Sequence, residues 1–253
     1  MDIVLIWDLD ETLIIFNSLF NGSATALLEE KVQSEALSLG TQWSEAVFEV
    51  VDRHLSFQQC EDMDAAMETV LDLASAEEDS STLGLGAGSC AEDDLERVRC
   101  VAETYRQARS LYAQGLDAML PSGQADQVRR LAAQTDAFLQ IHFHLERGWL
   151  AWAAQLLQDC AATTETDRGA GVQRVRVHNV VVTAGQLLPS LAKLALFGLS
   201  THVAASDVFS AASRRKQSCF ERIRARYEPG AAFCALGDGG GRPNHRGMGR
   251  REF

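Results

Sequence analysis

The chain has 253 residues, a length that suits one α/β domain with a large insertion or two smaller domains. Apolar residues make up 46%, which is enough for a sizeable core, and the formal net charge is −12 at pH 7. Because binding to nucleic-acid phosphates requires clustered lysine and arginine, this charge argues against a general nucleic-acid-binding protein.

The cysteines and the hydrophobic segments predict an intracellular protein that is not embedded in a membrane. The six cysteines have no paired spacing, and no secretory segment is recognised at the start of the sequence, so we expect reduced thiols. The most apolar run, residues 187–205, is interrupted by Pro189, Lys193 and His202. These interruptions favour a buried helix over a membrane span.

The chain begins with an apolar, β-branched run at residues 3–7, which predicts a buried parallel strand. Asp8 and Asp10 follow this run directly. Open α/β sheets bind ligands at the carboxyl ends of their strands. Two carboxylates this close repel each other, so a folded site that keeps both needs a divalent cation or a shared proton. The sequence therefore predicts a functional site after the first strand.

The middle of the chain is predicted to be helical. Helical periodicity runs over residues 23–76, 94–119 and 123–161, and an acidic, glycine- and serine-rich linker lies at about residues 76–94. The Gly-x-Gly-x-Gly of that linker has no preceding strand and no basic residue nearby, so we interpret it as linker and not as a nucleotide-binding loop. We expect an all-helical cap inserted at residues 23–171.

The last third returns to alternating strands and helices. Strands are predicted at residues 175–183, 208–209 and 232–236, and helices at residues 187–199 and 216–227. A strand, a helical insertion and then alternating strands and helices predict a doubly wound parallel sheet, an α/β fold built from residues 1–22 and 172–239. Residues 240–253 have the composition of a disordered tail.

Four polar residues follow predicted strands and a fifth opens a predicted helix: Asp8, Asp10, Thr183, Asp238 and Lys216. A parallel sheet could gather all five at one edge. The set fits phosphoryl transfer, in which one carboxylate attacks phosphorus and a second carboxylate moves the proton. Mg²⁺ prefers hard oxygen ligands, and Thr183 and Lys216 would stabilise the charge on the transferring group.

These residues resemble a known family. The segment Trp7-Asp8-Leu9-Asp10-Glu11-Thr12 is similar to the first motif of the haloacid dehalogenase superfamily, in the form typical of its Eyes absent branch. The resemblance continues through residues 18–22, 54–57, 179–187, 216–223 and 237–239. It departs from the family at Ala184, where a second hydroxyl residue is usual, and after Gly239.

The resemblance implies a haloacid dehalogenase-like core and a Mg²⁺-dependent protein tyrosine phosphatase of the form without an N-terminal transactivation region. It implies that Asp8 is the nucleophile, that Asp10 is the general acid and base, and that Thr183 and Lys216 contact the phosphoryl group. It assigns the metal to Asp8, Asp10 and Asp238. The expected substrate is a phosphotyrosine protein, with protein partners at the helical cap and a location in cytoplasm, nucleus or both.

Two other functions stay open at this point: a phosphatase of small metabolites, and a catalytically impaired interaction or transcriptional co-regulator protein. Cys100 and Arg106 have the Cys-x5-Arg spacing of thiol phosphatases, but on a helix positions six apart point about 120° away from each other. His142 and Glu146 would share a helix face, for which we favour packing over a metal site.

Overall fold

The computed structural model describes residues 1–55, 92–161, 164–167, 172–212, 215–227 and 229–238. Its strands are β1 (Asp2–Trp7), β2 (Thr164–Asp167), β3 (Val172–Thr183), β4 (Val208–Ser210) and β5 (Ala232–Leu236). Its helices are α1 (Asn17–Phe20), α2 (Glu30–His54), α3 (Glu92–Gln114), α4 (Leu116–Met119), α5 (Ser122–His142), α6 (Trp149–Ala161), α7 (Leu187–Leu196) and α8 (Lys216–Arg226). Short 3₁₀ turns lie at Ser23–Thr25 and Ala205–Asp207.

Strand β1 lies in the middle of a parallel sheet. It pairs in parallel with β3 on one side and β5 on the other, and β3 pairs in parallel with β4. The short β2 runs antiparallel to the start of β3. The chain therefore leaves β1 towards β3 and later returns to the opposite side, and the crevice at such a reversal is where open α/β sheets bind ligands. The parallel sheet with its helices confirms the predicted α/β class.

Helices cover both faces of this sheet. On one face, Val4 and Ile6 of β1 pack with Cys219 and Ile223 of α8 in a small core. On the other face, a larger core joins Trp7 to buried residues of α2, α3, α5, α6 and α7. The inserted helices therefore share a continuous core with one face of the sheet. Their placement as a cap over the site, and the predicted boundaries of that cap, stay predictions.

A buried chain of hydrogen bonds connects the sheet to the insertion. The indole Nε1–H of Trp7 donates to Asn179 Oδ1 at 3.0 Å. The amide nitrogen of Asn179 in turn donates to the backbone oxygen of Leu157 in α6 at 2.8 Å. Because both polar groups are buried, the two bonds satisfy donors that would otherwise be costly to remove from water. They fix β1, β3 and α6 relative to one another.

The inserted helices differ in detail from the sequence predictions. Helix α2 begins at Glu30, and Leu27 before it is 99% exposed, so the predicted helical start at residue 23 is wrong. The helical periodicity predicted over residues 123–161 corresponds to two helices, α5 and α6. The carboxylate of Asp136 in α5 accepts the backbone N–H groups of Leu150 and Ala151 at 2.8 and 3.2 Å and so caps the start of α6. The cap gives hydrogen-bond partners to backbone N–H groups in the first turn of α6, which have none within the helix.

Three smaller predictions can also be compared with the structure. Residues 164–167 are strand β2, although no strand was predicted there. Helix α5 ends at His142, so the expected helix face shared with Glu146 is wrong. Cys100 and Arg106 both lie within α3, as expected for a helical segment and not a phosphate-binding loop.

Most of the predicted linker and all of the predicted tail, residues 240–253, lie outside the described residues; the described part of the linker, residues 92–94, belongs to α3. Within the described part of the chain, no helix has the length and apolar character needed to cross a membrane.

Candidate active site

The register of the sheet brings three of the predicted site residues to one edge. Trp7, the last residue of β1, is paired with both β3 and β5. Asp8 comes one residue after this paired row, and Thr183 and Asp238 come two residues after it on the neighbouring strands. Because all these strands are parallel, the three side chains follow the same carboxyl edge. This is the edge at which the site was predicted.

A tight turn after β1 fixes the segment that carries Asp10. The backbone oxygen of Leu9 accepts the N–H of Ile14 at 3.1 Å, and the N–H of Glu11 donates to the oxygen of Ile14 at 2.7 Å. Glu11 has φ 63, in the left-handed region that costs a non-glycine residue about 1 kcal/mol. Its carboxylate accepts the backbone N–H groups of Phe16 and Ser18, each at 3.1 Å. These bonds offset the strain and hold the turn against the start of α1.

Each of the two motif carboxylates is bonded to its own lysine. The ammonium of Lys216, the first residue of α8, lies 3.0 Å from Asp8 Oδ1. The ammonium of Lys193 in α7 lies 2.8 and 3.1 Å from the two carboxylate oxygens of Asp10. The chain has one further lysine, the exposed Lys31. Two of the three lysines are therefore held at this acidic turn, where they partly offset its charge.

Thr183 is placed beside the turn that follows β3. Its side chain is 1% exposed, and its Oγ1 accepts the backbone N–H of Gly185 at 3.0 Å. The hydroxyl of Ser210, at the end of the adjacent β4, donates to the backbone oxygen of Gly185 at 2.8 Å. Thr183 Oγ1 also lies 3.5 Å from the hydroxyl oxygen of Ser190 in α7, so two polar groups fix the Thr183 side chain at this turn. Its contact with a phosphoryl group stays a prediction.

The segment carrying Asp238 packs closely against the nucleophile candidate. The backbone N–H of Asp238 donates to Thr12 Oγ1 at 3.1 Å. A Cβ added at Gly237 would meet the Cβ of Asp8 at 3.0 Å, so glycine allows this close approach. Among the described residues, no group of three or more histidine, cysteine or acidic side chains converges as a metal cluster. The joint binding of a metal by Asp8, Asp10 and Asp238 stays a prediction.

Two groups with raised pKa values lie at another part of the sheet, where Asp207 precedes β4. Burial raises the pKa of Asp207, although Arg226 lies 3.1 Å away and opposes the shift. Burial, with the charge of Asp207 adding to it, also raises the pKa of Tyr227 to about 12. Asp207 comes before β4 and not after it, so this group lies outside the row of residues at the carboxyl edge.

Comparison with curated proteins identifies relatives that match 93% of this chain. Protein phosphatase EYA of Arabidopsis thaliana is 29% identical over 245 residues, which are 76% of its length. Protein phosphatase EYA2 of Homo sapiens is 27% identical over 253 residues, and EYA3 of Mus musculus is 30% identical over 261 residues. The chain is a homologue of the Eyes absent protein phosphatases. No family model matches it.

This homology confirms the resemblance inferred from the motifs, and the names of the relatives agree with the predicted phosphatase class. The chain spans about three quarters of the plant relative, 76%, but only 44% of human EYA2 and 46% of mouse EYA3.

Sequence reasoning missed two residues of the candidate site. Lys193 was treated only as an interruption of an apolar run, although a single cation inside a buried helix is itself a signal, because a buried charge needs a partner. Glu11 gave no signal of its own, since its role depends on a left-handed turn that folds its carboxylate towards the start of α1.

Proposed function

We propose that this chain is a Mg²⁺-dependent protein tyrosine phosphatase that works through an aspartyl-phosphate formed on Asp8. The observation that carries the proposal is the place of Asp8, at the carboxyl end of the central strand with the Lys216 ammonium 3.0 Å from its oxygen. The names of the relatives support a protein phosphatase. Phosphotyrosine as the target comes from the family resemblance.

The proposed reaction has two steps that the chain's own residues carry out. An oxygen of Asp8 attacks phosphorus, the bond between phosphorus and the leaving oxygen breaks, and Asp10 gives that oxygen a proton. Asp10 then takes a proton from water, whose oxygen attacks phosphorus and releases Asp8 and inorganic phosphate. Lys216 and Thr183 would donate to the phosphoryl oxygens and stabilise their charge.

The residues fit Mg²⁺ in their donor chemistry. Asp8, Asp10 and Asp238 offer carboxylate and carbonyl oxygens, which are the hard ligands this ion prefers. The close approach that Gly237 allows to Asp8 favours a shared site for the two segments. When bound, the ion would offset the charge of these carboxylates and of the phosphate.

Hydrolysis of p-nitrophenyl phosphate by purified protein, with Mg²⁺ and with EDTA, tests this function. We expect turnover only with Mg²⁺, and loss of at least about a hundredfold in Asp8→Asn, because the nucleophile is removed. The exposed Asp52 on α2 supplies the control, since Asp52→Asn should leave turnover unchanged. Folded wild-type protein without Mg²⁺-dependent turnover would refute the enzyme, and full activity in Asp8→Asn would refute only the nucleophile.

The substrate class needs its own comparison. We expect phosphotyrosine peptides to be hydrolysed faster than phosphoserine peptides and sugar phosphates. Preference for sugar phosphates would instead support a small-metabolite phosphatase, in which the inserted helices select the substrate.

The location and partners of the chain are further proposals. We infer a cytoplasmic or nuclear protein that meets protein partners through its inserted helices and does not bind nucleic acid or membranes directly. The net charge of −12 supports the absence of nucleic-acid binding. Imaging of a tagged chain in cells would test the location.

A further inference from the structure

Lys193 is a nearly buried cation on the most apolar helix near the site. Its neighbours Ala192 and Leu194 are fully buried, and its own side chain is 12% exposed. Both oxygens of Asp10 lie within hydrogen-bond distance of its ammonium, at 2.8 and 3.1 Å. An ammonium in such surroundings is stable only with a charged or polar partner. Asp10 is the partner that the structure shows.

Aromatic rings hold Lys193 in this place. Its ammonium lies 4.1 Å from the centre of the Phe16 ring, a favourable cation–π distance. Phe16 meets Phe197 edge to face at 6.4 Å, and Phe197 stacks on Trp43 of α2 at 3.9 Å. The backbone of Phe16 is itself fixed by Glu11. The Lys193 ammonium is therefore fixed by two contacts, the Asp10 carboxylate and the Phe16 ring, and that ring is in turn packed against the core beneath α7.

We propose that Lys193 is a positioning residue that holds the Asp10 carboxylate for proton transfer in the reaction proposed above. One ammonium bonded to both carboxylate oxygens restricts rotation of that carboxylate, and proton transfer requires the acid within hydrogen-bond reach of the reacting oxygen. Lys216 cannot supply this restraint, because it is bonded to Asp8. The inference rests on the proposed function and assigns a part to a residue outside the recognised motifs.

The leaving group provides a direct test. Nitrophenolate departs readily without a proton, whereas phenolate departs slowly unless an acid protonates its oxygen. Loss of Asp10 positioning should therefore slow phenyl phosphate far more than p-nitrophenyl phosphate. We expect Lys193→Met to lower kcat/KM, which reports the step in which the leaving group departs, about tenfold more for phenyl phosphate than for p-nitrophenyl phosphate, a part of the full effect of a general acid.

Two variants serve as controls for this experiment. Lys193→Arg keeps the charge and the donors, so we expect the wild-type ratio between the two substrates to be largely restored. Lys31→Met makes the same chemical change at the exposed lysine of α2 and should leave both rates unchanged. If Lys193→Met does not fold, the polar Lys193→Gln is measured in its place. An equal loss of kcat/KM on both substrates, or no loss, overturns the proposal.

Two further readouts separate positioning from other roles. Inhibition by inorganic phosphate should be unchanged in Lys193→Met, and weaker inhibition would overturn the proposal in favour of a direct phosphate contact. In protein labelled with nitrogen-15 at its three lysines, Asp10→Asn should shift the Lys193 side-chain signal and leave that of Lys216 in place. An unmoved Lys193 signal overturns the pairing itself. Inactive wild-type protein would overturn the proposed function first, and the labelled spectrum distinguishes the two failures.

Discussion

The two strands beside β1 differ sharply in how they are packed. On one side, Val180, Val181 and Val182 of β3 are at most 2% exposed, and α7 and β4 follow them into the core. On the other side, four of the five residues of β5 are exposed, and Leu236 is 37% exposed. The nucleophile candidate lies between a packed strand and an open one.

This difference separates the stability of the fold from catalysis at the candidate site, two properties that are often lost together. Residues on the β3 side contribute much of the burial that stabilises the fold, at about 25 cal/mol per Å² of apolar surface. Residues on the β5 side contribute little burial, yet they lead to Gly237 and Asp238 at the site. We therefore expect changes near β3 to affect stability first, and changes near the end of β5 to affect catalysis first.

The same substitution on the two sides tests this comparison most strongly. Leu191 in α7 is fully buried, so Leu191→Ala should lower the free energy of unfolding by about 2–5 kcal/mol. Leu236→Ala in β5 should lower it by less than about 1 kcal/mol, because much of that side chain already meets solvent. Urea unfolding followed by circular dichroism measures both. Equal losses would contradict the view that β5 adds little to stability.

A methyl group at Gly237 tests the catalytic side. Gly237→Ala places a Cβ 3.0 Å from the Cβ of Asp8, so one of the two segments must shift. We expect kcat/KM for p-nitrophenyl phosphate to fall about tenfold, since small displacements at a reacting group are costly. The free energy of unfolding should change little.

Gly123 supplies the control for that variant, because a Cβ there meets nothing within 4 Å. Gly123→Ala, in the first turn of α5, should leave kcat/KM unchanged and should not lower the free energy of unfolding, since alanine loses less conformational freedom in a helix. A loss of stability in Gly237→Ala as large as its loss of activity would remove the proposed separation between the two sides.

The smallest expected effect concerns pH. Burial raises the pKa of Asp207 above its ordinary value of 3.8, so the folded state holds this proton more tightly than the unfolded state. The contribution of Asp207 to stability is therefore present below pH 3.8 and is lost as pH rises through the raised folded value. Asp207→Asn should not show this decline in the free energy of unfolding with rising pH. Midpoints of urea unfolding between pH 3.8 and 7 measure the decline in both proteins. The exposed Asp126→Asn should keep the wild-type profile.

Much of the sheet was predictable because most of its strands are apolar runs that can be recognised from the types of their side chains. The β-branched runs before Asp8 and Thr183 have the near-continuous apolar character of strands that a parallel sheet buries on both faces, and each run ends at a polar residue. Strand β2 was not predictable in the same way. Its sequence, Thr-Glu-Thr-Asp, has no apolar alternation, and it becomes a strand only because the early part of β3 offers it a partner.

The site was predictable where its residues follow strands. It was not predictable where a contact depends on how helix α7 crosses the sheet. Asp8, Thr183 and Asp238 could be placed by counting from strand ends. The bond between Lys193 and Asp10 depends on the direction in which α7 returns across the sheet and on the Phe16 ring that supports the ammonium. Neither can be read from spacing along the chain.

The central place of β1 also determines when the site can exist. The hydrogen bond between Trp7 and Asn179 joins residues 172 positions apart, and the bond between Thr12 and Asp238 joins residues 226 positions apart. Contacts so distant in sequence require long loops to close and form late in folding. During synthesis, β1 therefore stays unpaired until its neighbours β3 and β5 have been translated. A nascent chain carries the acidic motif early, and the candidate site can assemble only after β5 has been translated.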